Sequence, residues 1–503
     1  MRTQSSDPIE SSRPGPQGPA PTDRGETTAP APPPPLGVPI AEAIAAGPGP
    51  HRTIDRARLE SRLAAELADF ADRHPRSAER FERAKGALLA GVPMNWMVKW
   101  ASPFPLFVDE ASGAHFRCVD GHEYVDFCLG DTGAMAGHGP APTIAAVERQ
   151  LRRGITHMLP TDDAIAAGEA LQDRFGLRYW QFTMTATDAN RFAIRLARHV
   201  TGRRRIVVHN YNYHGTVDET FAVLGPDGRV VPRRGNLGPP VDPAVTTRVV
   251  EFNDVAALER ALADREVAAV LVEPALTNVG IVLPEAGYHD ALRELTAATE
   301  TILIVDETHT ICTGPGGFTG AFGLRPDVVT IGKTIGGGIP AGAYGFTAEL
   351  GDRVAASIDR EDCDVGGIGG TLAGYALSTA AIRATLGEVL TADAYARMIP
   401  LAARWTAGVA QVIRTRRLPW HVTRLGARAE YHFRPDPPRT GSDQWQAGDP
   451  ELERYLHLAA MNRGVLMTPF HNMALVSPAT TADDVDRHTA AFAEAVDLLL
   501  GSA

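Results

Sequence analysis

Apolar positions change their spacing along the chain, and each spacing predicts a different kind of element. From Ile54 to Leu89 large apolar side chains recur at three- and four-residue intervals, which is typical of one or two amphipathic helices. Short apolar segments between residues 106 and 127 then predict strands, because the turns Ser112-Gly113 and Asp120-Gly121 interrupt them. The N-terminal part is therefore predicted to combine helices with a few short strands.

The central part, from about residue 143 to 348, alternates helical segments with short runs that are almost entirely apolar. These runs are Ile206–Val208, Ala268–Val272, Ile302–Val305 and Val328–Ile331. Runs without polar alternation indicate a mainly parallel sheet that helices cover on both faces. A long Ala-rich helical stretch, about residues 372–417, follows it. Three further strands and a last helix at about residues 482–500 predict a smaller α+β region, so the fold class is α/β with a second domain.

Composition divides the chain further. Residues 1–50 are rich in Pro, Gly, Ser and Ala and hold few large apolar side chains, which predicts a disordered tail. We assign residues 51–142 to N-terminal helices and strands of a small domain and residues 143–385 to a large domain. Residues 386–503 then form the C-terminal part of the small domain. Two domains and a tail agree with a length of 503 residues.

Charge and cysteine content exclude several function classes. A net charge of −11 argues against nucleic-acid and membrane-surface roles, which need a concentrated basic face. The sequence has no apolar run long enough for a membrane span and no secretory signal pattern. Its four cysteines, Cys118, Cys128, Cys312 and Cys363, show no metal-ligand spacing. We expect a cytoplasmic protein with reduced thiols and no metal.

Lysine is rare in this sequence, which narrows the search for a reactive amine. The lysines are Lys85, Lys99 and Lys333. Lys333 follows the apolar run 328–331 and precedes Gly336-Gly337-Gly338. Strand ends beside glycine-rich loops are where doubly wound sheets hold ligands. Lys85 is predicted to lie on a surface helix and Lys99 in an aromatic stretch, so Lys333 is the candidate for amine chemistry.

Asp306 closes another apolar run, where a carboxylate is costly unless a cation pairs with it. The protonated nitrogen of a pyridoxal phosphate ring supplies such a charge, and a helix cap or an arginine partner is the alternative. Gly332-Lys333-Thr334 also imitates the end of a nucleotide-binding P-loop. That reading fails because Asp327 stands where the motif needs glycine.

The segment from Ile302 to Gly345 resembles the class III (omega-type) aminotransferases. It holds a strand followed by Asp-Glu, then Gly-Leu-Arg-Pro-Asp-Val and Thr-Ile-Gly-Lys-Thr-Ile-Gly-Gly-Gly-Ile-Pro. Within this family it is most similar to the branch that holds glutamate-1-semialdehyde aminomutase and β-phenylalanine aminotransferase. The similarity runs from about Arg83 to the C-terminus. It implies the fold type I of pyridoxal-phosphate enzymes, with a sheet of the seven-stranded type, and pyridoxal 5′-phosphate as the cofactor.

The resemblance also implies roles for residues around the cofactor ring. Lys333 would bind the cofactor as a Schiff base, and Asp306 would pair with the pyridine nitrogen. Tyr213, in Tyr-His-Gly, would stack on the ring, and Asn278 would lie near the ring hydroxyl. Thr308 stands where the family usually has a valine packed under the ring.

Phosphate contacts follow from the same resemblance. The family's Ser-Gly-Thr turn corresponds to Thr185, Ala186 and Thr187, just before a predicted helix at residues 188–200. Hydroxyl and N–H groups at a helix N-terminus suit an anion. Thr371 lies in the loop that reaches the phosphate of the neighbouring subunit, which implies a homodimer with shared active sites.

The substrate side departs from the family. The arginines that clamp the carboxylate in the β-phenylalanine branch are replaced by Met94–Met97 and Thr468–His471, which contain no arginine. Arg428 is the leading replacement, with an arginine on a surface strand as the alternative. Further candidates for substrate contact are Trp96, His309, Lys99 and His471.

These features predict a pyridoxal-phosphate aminotransferase that moves an amino group between an amine or amino acid and a keto acid or another carbonyl acceptor. An aminomutase of the glutamate-1-semialdehyde type is the main alternative, which Asn278 supports. The same scaffold also permits an epimerase, a decarboxylase or a catalytically silent binding protein.

Overall fold

A computed structural model of the chain describes residues 38–238, 241–357 and 367–501. The strands are β1 (Ala41–Ile44), β2 (Val108–Ser112), β3 (His115–Cys118), β4 (Glu123–Asp126), β5 (Tyr179–Thr183), β6 (Arg205–His209), β7 (Ala222–Leu224), β8 (Val230–Pro232), β9 (Thr247–Val250), β10 (Val267–Val272), β11 (Ile302–Asp306), β12 (Val328–Ile331), β13 (Gly342–Phe346), β14 (His421–Leu425), β15 (Arg428–His432), β16 (Val465–Leu466) and β17 (Met473–Leu475). The α-helices are α1 (Arg56–Arg73), α2 (Pro75–Ala84), α3 (Ala141–Leu151), α4 (Asp162–Phe175), α5 (Ala186–Thr201), α6 (Pro243–Thr246), α7 (Val255–Leu262), α8 (Tyr288–Ala298), α9 (Gly317–Phe322), α10 (Ala348–Ser357), α11 (Ala376–Ala384), α12 (Ala392–Arg416), α13 (Gly441–Gln446), α14 (Pro450–Asn462) and α15 (Ala482–Leu500). Short 3-10 turns include Asn95–Lys99, Thr310–Thr313 and Lys333–Gly336.

The central sheet has seven strands in the order β5-β13-β12-β11-β10-β6-β9. Neighbouring strands run parallel except at β13, which is antiparallel to both β12 and β5. Strands β10, β11 and β12 are buried along their whole length, as their continuous apolar runs require. The predicted α/β fold class with a large, mainly parallel sheet is confirmed.

Alternation along β11 decides which way its last side chain points. Ile302 and Ile304 pack into the core that contains α5, whereas Leu303 and Val305 pack into the core that contains α7 and α8. Because successive strand residues face opposite sides, Asp306 points to the α5 side of the sheet. The strand thereby delivers a carboxylate to the N-terminal half of α5.

Two smaller four-stranded sheets combine distant parts of the chain. One has the order β1-β14-β15-β17 and is antiparallel throughout, and the other has the order β16-β4-β3-β2. Helices α12, α14 and α15 pack with them around a buried apolar cluster that contains Trp405, Trp420 and Tyr431. These sheets hold segments from both ends of the chain, and the domain boundaries given above stay a prediction.

Strand β1 corrects part of the tail prediction. The stretch predicted to be disordered includes Ala41–Ile44, which instead pairs with β14. The physical reason is the buried Arg424, whose guanidinium donates to the carbonyl oxygen of Pro39 at 2.7 Å and lies 3.3 Å from Glu42. The prediction for residues 1–37 lies outside the described residues.

The predicted Ala-rich helical stretch is interrupted, and the cysteines that the structure describes are reduced. The Ala-rich stretch is not one helix, because a π-turn at Thr385–Val389 separates α11 from α12, and Thr391 caps α12. Cys118, Cys128 and Cys312 are free and buried, and Cys363 lies outside the described residues. Over the described part of the chain, no helix combines the length and apolar character that a membrane span needs.

Removing β1 should destabilise the protein. We expect a chain that begins at Gly47 to unfold at a lower temperature than one that begins at Val38, because Arg424 loses its partners in a buried position. Lost hydrogen bonds to one charged group correspond to roughly 2–4 kcal/mol. Thermal unfolding of the two truncated chains measures the difference, with the full-length chain as reference. Equal midpoints for the two truncations would contradict a structural role of β1.

Candidate active site

A cavity of about 530 Å³ lies at the carboxyl ends of β11 and β12 and at the N-terminus of α5. Its lining includes Trp96, Gly130, Thr185, Ala186, Thr187, Tyr213, Glu273, Asp306, Thr308, His309 and Lys333. Most of the residues predicted from sequence to contact cofactor or substrate are therefore brought together here. This position agrees with the general location of ligands in open α/β sheets.

Asp306 is buried and accepts hydrogen bonds on both carboxylate oxygens. Asn190 and His214 donate to Oδ2 at 2.7 and 2.9 Å, and the Thr308 N–H donates to Oδ1 at 3.0 Å. Burial opposes the charge, but the hydrogen bonds from His214, Thr308 and Asn190 outweigh it and lower the pKa of the Asp306 carboxyl. Thr330 fixes Asn190 in turn, by donating to its Oδ1 at 2.6 Å. The carboxylate thus stays negative and faces the cavity.

The N-terminus of α5 forms another wall of the cavity. Thr185 is its N-cap and accepts from the N–H of Asp188, and the hydroxyl of Thr187 accepts from the N–H of Thr216 at 3.1 Å. A Cβ on Gly215 would lie 2.1 Å from the hydroxyl oxygen of Thr187, so this loop can approach the helix only with glycine there. Hydroxyl and N–H groups at a helix N-terminus suit a phosphate group.

Lys333 stands on strained backbone, with a φ of 52° at the point where β12 ends. Its Nζ donates to the carbonyl oxygen of Asp131 at 2.7 Å and to Oδ2 of Asp131 at 2.8 Å. The third contact is Nε2 of His309, at 2.5 Å. Three acceptors thus match the three protons of an ammonium group.

Asp131 was not predicted from sequence, although it contacts the lysine directly. Burial opposes its charge, but the positive charges of Lys333 and Arg428 outweigh this and hold the pKa of the Asp131 carboxyl well below its ordinary value. Asp131 and Thr132 both have left-handed backbone, with φ of 48° and 81°. The sequence signal was an acidic residue between Gly130 and Gly133, which marks a tight loop.

Arg428 is not a surface arginine, so that alternative is wrong. Its side chain is 0% exposed, donates to the hydroxyl of Thr132 at 2.8 Å and lies 3.6 Å from Oδ1 of Asp131. Arg428 is not among the described residues that line the cavity, and it lies behind Asp131 instead. Arg428 therefore supports the residue that holds Lys333.

Glu273, which lines the cavity, and the buried Thr277 beside it were not predicted from sequence. The Thr277 hydroxyl donates to Oε2 of Glu273 at 2.6 Å and lies 2.9 Å from Nδ1 of His309. Burial raises the pKa of the Glu273 carboxyl. Glu273 follows the apolar strand β10 as Asp306 ends β11, and this repeated pattern is the signal that could have found it.

A second cavity of about 370 Å³ holds two predicted residues that do not reach the first one. Asn278 and His471 line it together with Glu430, whose Oε1 lies 3.5 Å from Nδ1 of His471. Lys99 is exposed at the end of a 3-10 turn, and Thr371 is exposed as well. The roles of these residues stay predictions. An aromatic wall of Trp96, Tyr213 and Phe470, with ring centroids 5.4 and 5.5 Å from that of Trp96, stands between the cavities.

The fold and site place the chain among the class III aminotransferases. The family model described as "Aminotransferase class-III" matches residues 96–496, so the chain belongs to this family. It is 31% identical over 421 residues to a glutamate-1-semialdehyde 2,1-aminomutase of Cenarchaeum symbiosum, covering 83% of this chain and 98% of the relative. A solved glutamate-1-semialdehyde-aminomutase from Pseudomonas aeruginosa PAO1 is 49% identical, with a TM-score of 0.87 over 89% of this chain and 99% of that one. A β-phenylalanine aminotransferase from Variovorax paradoxus is 27% identical, with a TM-score of 0.76 over 87% of this chain and 97% of its own.

These comparisons confirm the predicted family and its cofactor. A lysine-to-alanine variant of the Pseudomonas protein was solved in complex with PMP. Pyridoxal 5′-phosphate is the cofactor of this chain. The residues present fit it, because an amine, a buried carboxylate that keeps its charge and a helix N-terminus all face one cavity.

Glu453, which lines the second cavity, should make stability depend on pH. Burial, together with the negative charge of Glu430, raises the pKa of Glu453 from 4.5 to about 7. Between these values the folded protein binds more protons than the unfolded chain, so stability falls as the pH rises from 4.5 to 7. We expect Glu453→Gln to stabilise the protein by roughly 1–2 kcal/mol at pH 8 and by much less at pH 4.5. Chemical unfolding at both pH values tests this, and a gain that is the same at both would contradict it.

Proposed function

We propose that this chain is an aminomutase of the glutamate-1-semialdehyde type, whose net reaction moves an amino group between neighbouring carbons of its substrate. The observation that carries the proposal is similarity to such aminomutases over 98–99% of their length. It favours the alternative considered from sequence over transfer to a separate carbonyl acceptor, which the family membership supports only in general terms.

When bound, pyridoxal phosphate supplies a carbonyl that captures the substrate amine and a ring that withdraws electrons from the reacting carbon. We propose that Lys333 holds it covalently and that Asp306 pairs with its pyridine nitrogen. Thr185 and Thr187, with the N–H groups of α5, would hold the phosphate. The positions of these groups around one cavity support the assignment.

Each of these residues has one task in the reaction. The hydrogen bonds to Asp306 preserve its negative charge, which keeps its ring partner protonated. The Lys333 amine must lose a proton before it can remove one from the substrate carbon. Asp131 orients that amine through two contacts, and Trp96 and Tyr213 cover the cavity with aromatic surface.

We also propose a homodimer, in which Thr371 of one subunit lies near the cofactor phosphate of the other. Its exposed position outside the first cavity supports this arrangement. In the same proposal Thr308 contacts the ring, and the substrate is a small amino compound.

Transamination is a second candidate that one observation favours. Glutamate 1-semialdehyde carries a carboxylate. The described residues that line the cavity around Lys333, however, include no arginine. A bidentate partner for a carboxylate is therefore not among the described residues that line this cavity, and Arg233 lines the adjoining one instead. The observation favours transamination of an amine that carries no carboxylate. Similarity to the β-phenylalanine aminotransferase supports a separate acceptor, but the arginines that clamp the carboxylate in that branch are missing here.

The two candidates differ in their need for an acceptor. If the chain is an aminomutase, it should convert glutamate 1-semialdehyde completely to the isomer with the amino group on C1, without any added keto acid. Product should be followed by mass-resolved chromatography of reactions with and without keto acid. A rate that requires the keto acid, with one carbonyl product per amino group transferred, would sink the aminomutase proposal and support transamination.

The rarity of lysine permits a clean test of cofactor attachment. We expect Lys333→Ala to abolish the visible absorption band of the lysine-bound cofactor and to lower activity at least about 10³-fold. Lys85→Ala is the matched control, since Lys85 is exposed and pairs with Glu82. It should keep the band and the activity. Retention of borohydride-reducible cofactor by the Lys333 variant would refute the assignment.

A further inference from the structure

A continuous hydrogen-bonded chain leads from the Lys333 amine to a buried carboxylate. Nε2 of His309 lies 2.5 Å from Nζ of Lys333, and Nδ1 of His309 lies 2.9 Å from the hydroxyl oxygen of Thr277. That hydroxyl donates to Oε2 of Glu273 at 2.6 Å. Lys333 and Glu273, at the two ends of this chain of hydrogen bonds, both line the cavity of about 530 Å³. Every link is within hydrogen-bonding distance.

The direction of each hydrogen bond follows from the far end of the chain. Glu273 accepts from the N–H groups of Tyr213 and Thr277 and from the Thr277 hydroxyl, so it acts as a carboxylate. A hydroxyl has one proton, and because Thr277 gives it to Glu273, its oxygen must accept from Nδ1–H of His309. The unprotonated Nε2 of His309 therefore faces Lys333. The tautomer needed to accept a proton from the lysine is set by the structure.

Other charged groups around His309 do not offer a better proton acceptor. Oδ2 of Asp131 lies 3.7 Å from Nε2 of His309, but Asp131 is ion-paired with Lys333 and lies close to Arg428. Both cations oppose protonation of the Asp131 carboxylate. Burial lowers the pKa of the His309 imidazole most. Arg428 on β15 and His471 in the loop before β17 also lower it. A proton that reaches His309 is therefore driven onward rather than held there.

We propose that His309 is a further catalytic residue, which accepts a proton from the Lys333 amine and relays it through Thr277 to Glu273. In the forward step Nζ of Lys333 gives a proton to Nε2 of His309, and His309 gives its Nδ1 proton to the Thr277 oxygen. Thr277 passes its own hydroxyl proton to Oε2 of Glu273. One proton leaves Lys333, one arrives at Glu273, and His309 ends in its other neutral tautomer; the reverse transfer restores the start.

This relay answers a requirement of the chemistry. All three ammonium protons of Lys333 have hydrogen-bond acceptors, and one of them must leave before the amine can remove a proton from a substrate. Burial raises the pKa of the Glu273 carboxyl, which suits it to receive the proton. The inference rests on the proposed role of Lys333 and holds for either an aminomutase or a transaminase.

The link at Thr277 gives the sharpest test, because it can be cut without touching Lys333 or the cofactor. Thr277→Val keeps the shape and the backbone N–H that Glu273 accepts, and Thr277→Ser restores the hydroxyl. Apoenzyme should be mixed with pyridoxal phosphate, and the rate of its capture by Lys333 measured from pH 6 to 10. In holoenzyme, exchange of the substrate α-proton with deuterated solvent should be measured alongside.

A relay predicts that Thr277→Val and His309→Gln both move the capture profile to higher pH and slow exchange by roughly 10²-fold. The double variant should be no slower than either single one, because both cut the same path. Thr277→Ser should stay within about threefold of the parent. Thermal unfolding and cofactor content identify any variant that fails to fold.

Two results would overturn the relay. One is a Thr277→Val profile that matches the parent, and the other is a double variant whose losses multiply. Either would leave His309 as a positioning residue. If Lys333→Ala still binds cofactor covalently, the proposed role of Lys333 fails instead, and the two failures are thereby distinguished.

Discussion

The buried carboxylate of Asp306 is the constraint around which the large domain is arranged. A charge at the end of a fully buried strand is costly unless donors surround it. Here the donors come from α5, from the loop after β6 and from the backbone beyond β11 itself. Thr330 on the next strand fixes Asn190, so a second layer holds the first. Because these elements must converge on one group, the sheet order and the start of α5 are tied to the site.

Charge balance extends this arrangement to the smaller sheet. Arg428, Glu430 and His432 alternate along β15 and therefore project from the same face. Arg428 is buried beside Asp131, and Asp131 holds the Lys333 amine. A buried ion pair of this kind is costly to break, since removing one partner leaves the other charge unpaired. The sheet that contains β15 thereby helps to position Lys333, which follows β12 of the central sheet.

Sequence could predict those parts that local pattern determines. Continuous apolar runs predicted the central strands, and the polar residue closing each run predicted Asp306 and Lys333. Their positions in a tight loop and after an apolar strand mark Asp131 and Glu273 as candidates. Their contacts, and those of Thr277, could not be predicted, because they depend on loops that meet only in the folded chain. Asn278 shows the limit from the other side. The residue fits the family motif, but the backbone turns its neighbour Thr277 towards His309, while Asn278 lines the adjoining cavity.

Family membership and site chemistry answer different questions for this chain. Family membership establishes the fold and the cofactor of this chain. Substrate choice depends on groups that the reaction itself does not require. His309 and Asp131 surround the Lys333 amine with charge and hydrogen-bond acceptors. Among the described residues that line the cavity there is no arginine. Discrimination between substrates is then expected to depend on shape, on the aromatic wall near Trp96 and on Arg233, which lines the adjoining cavity together with Phe470.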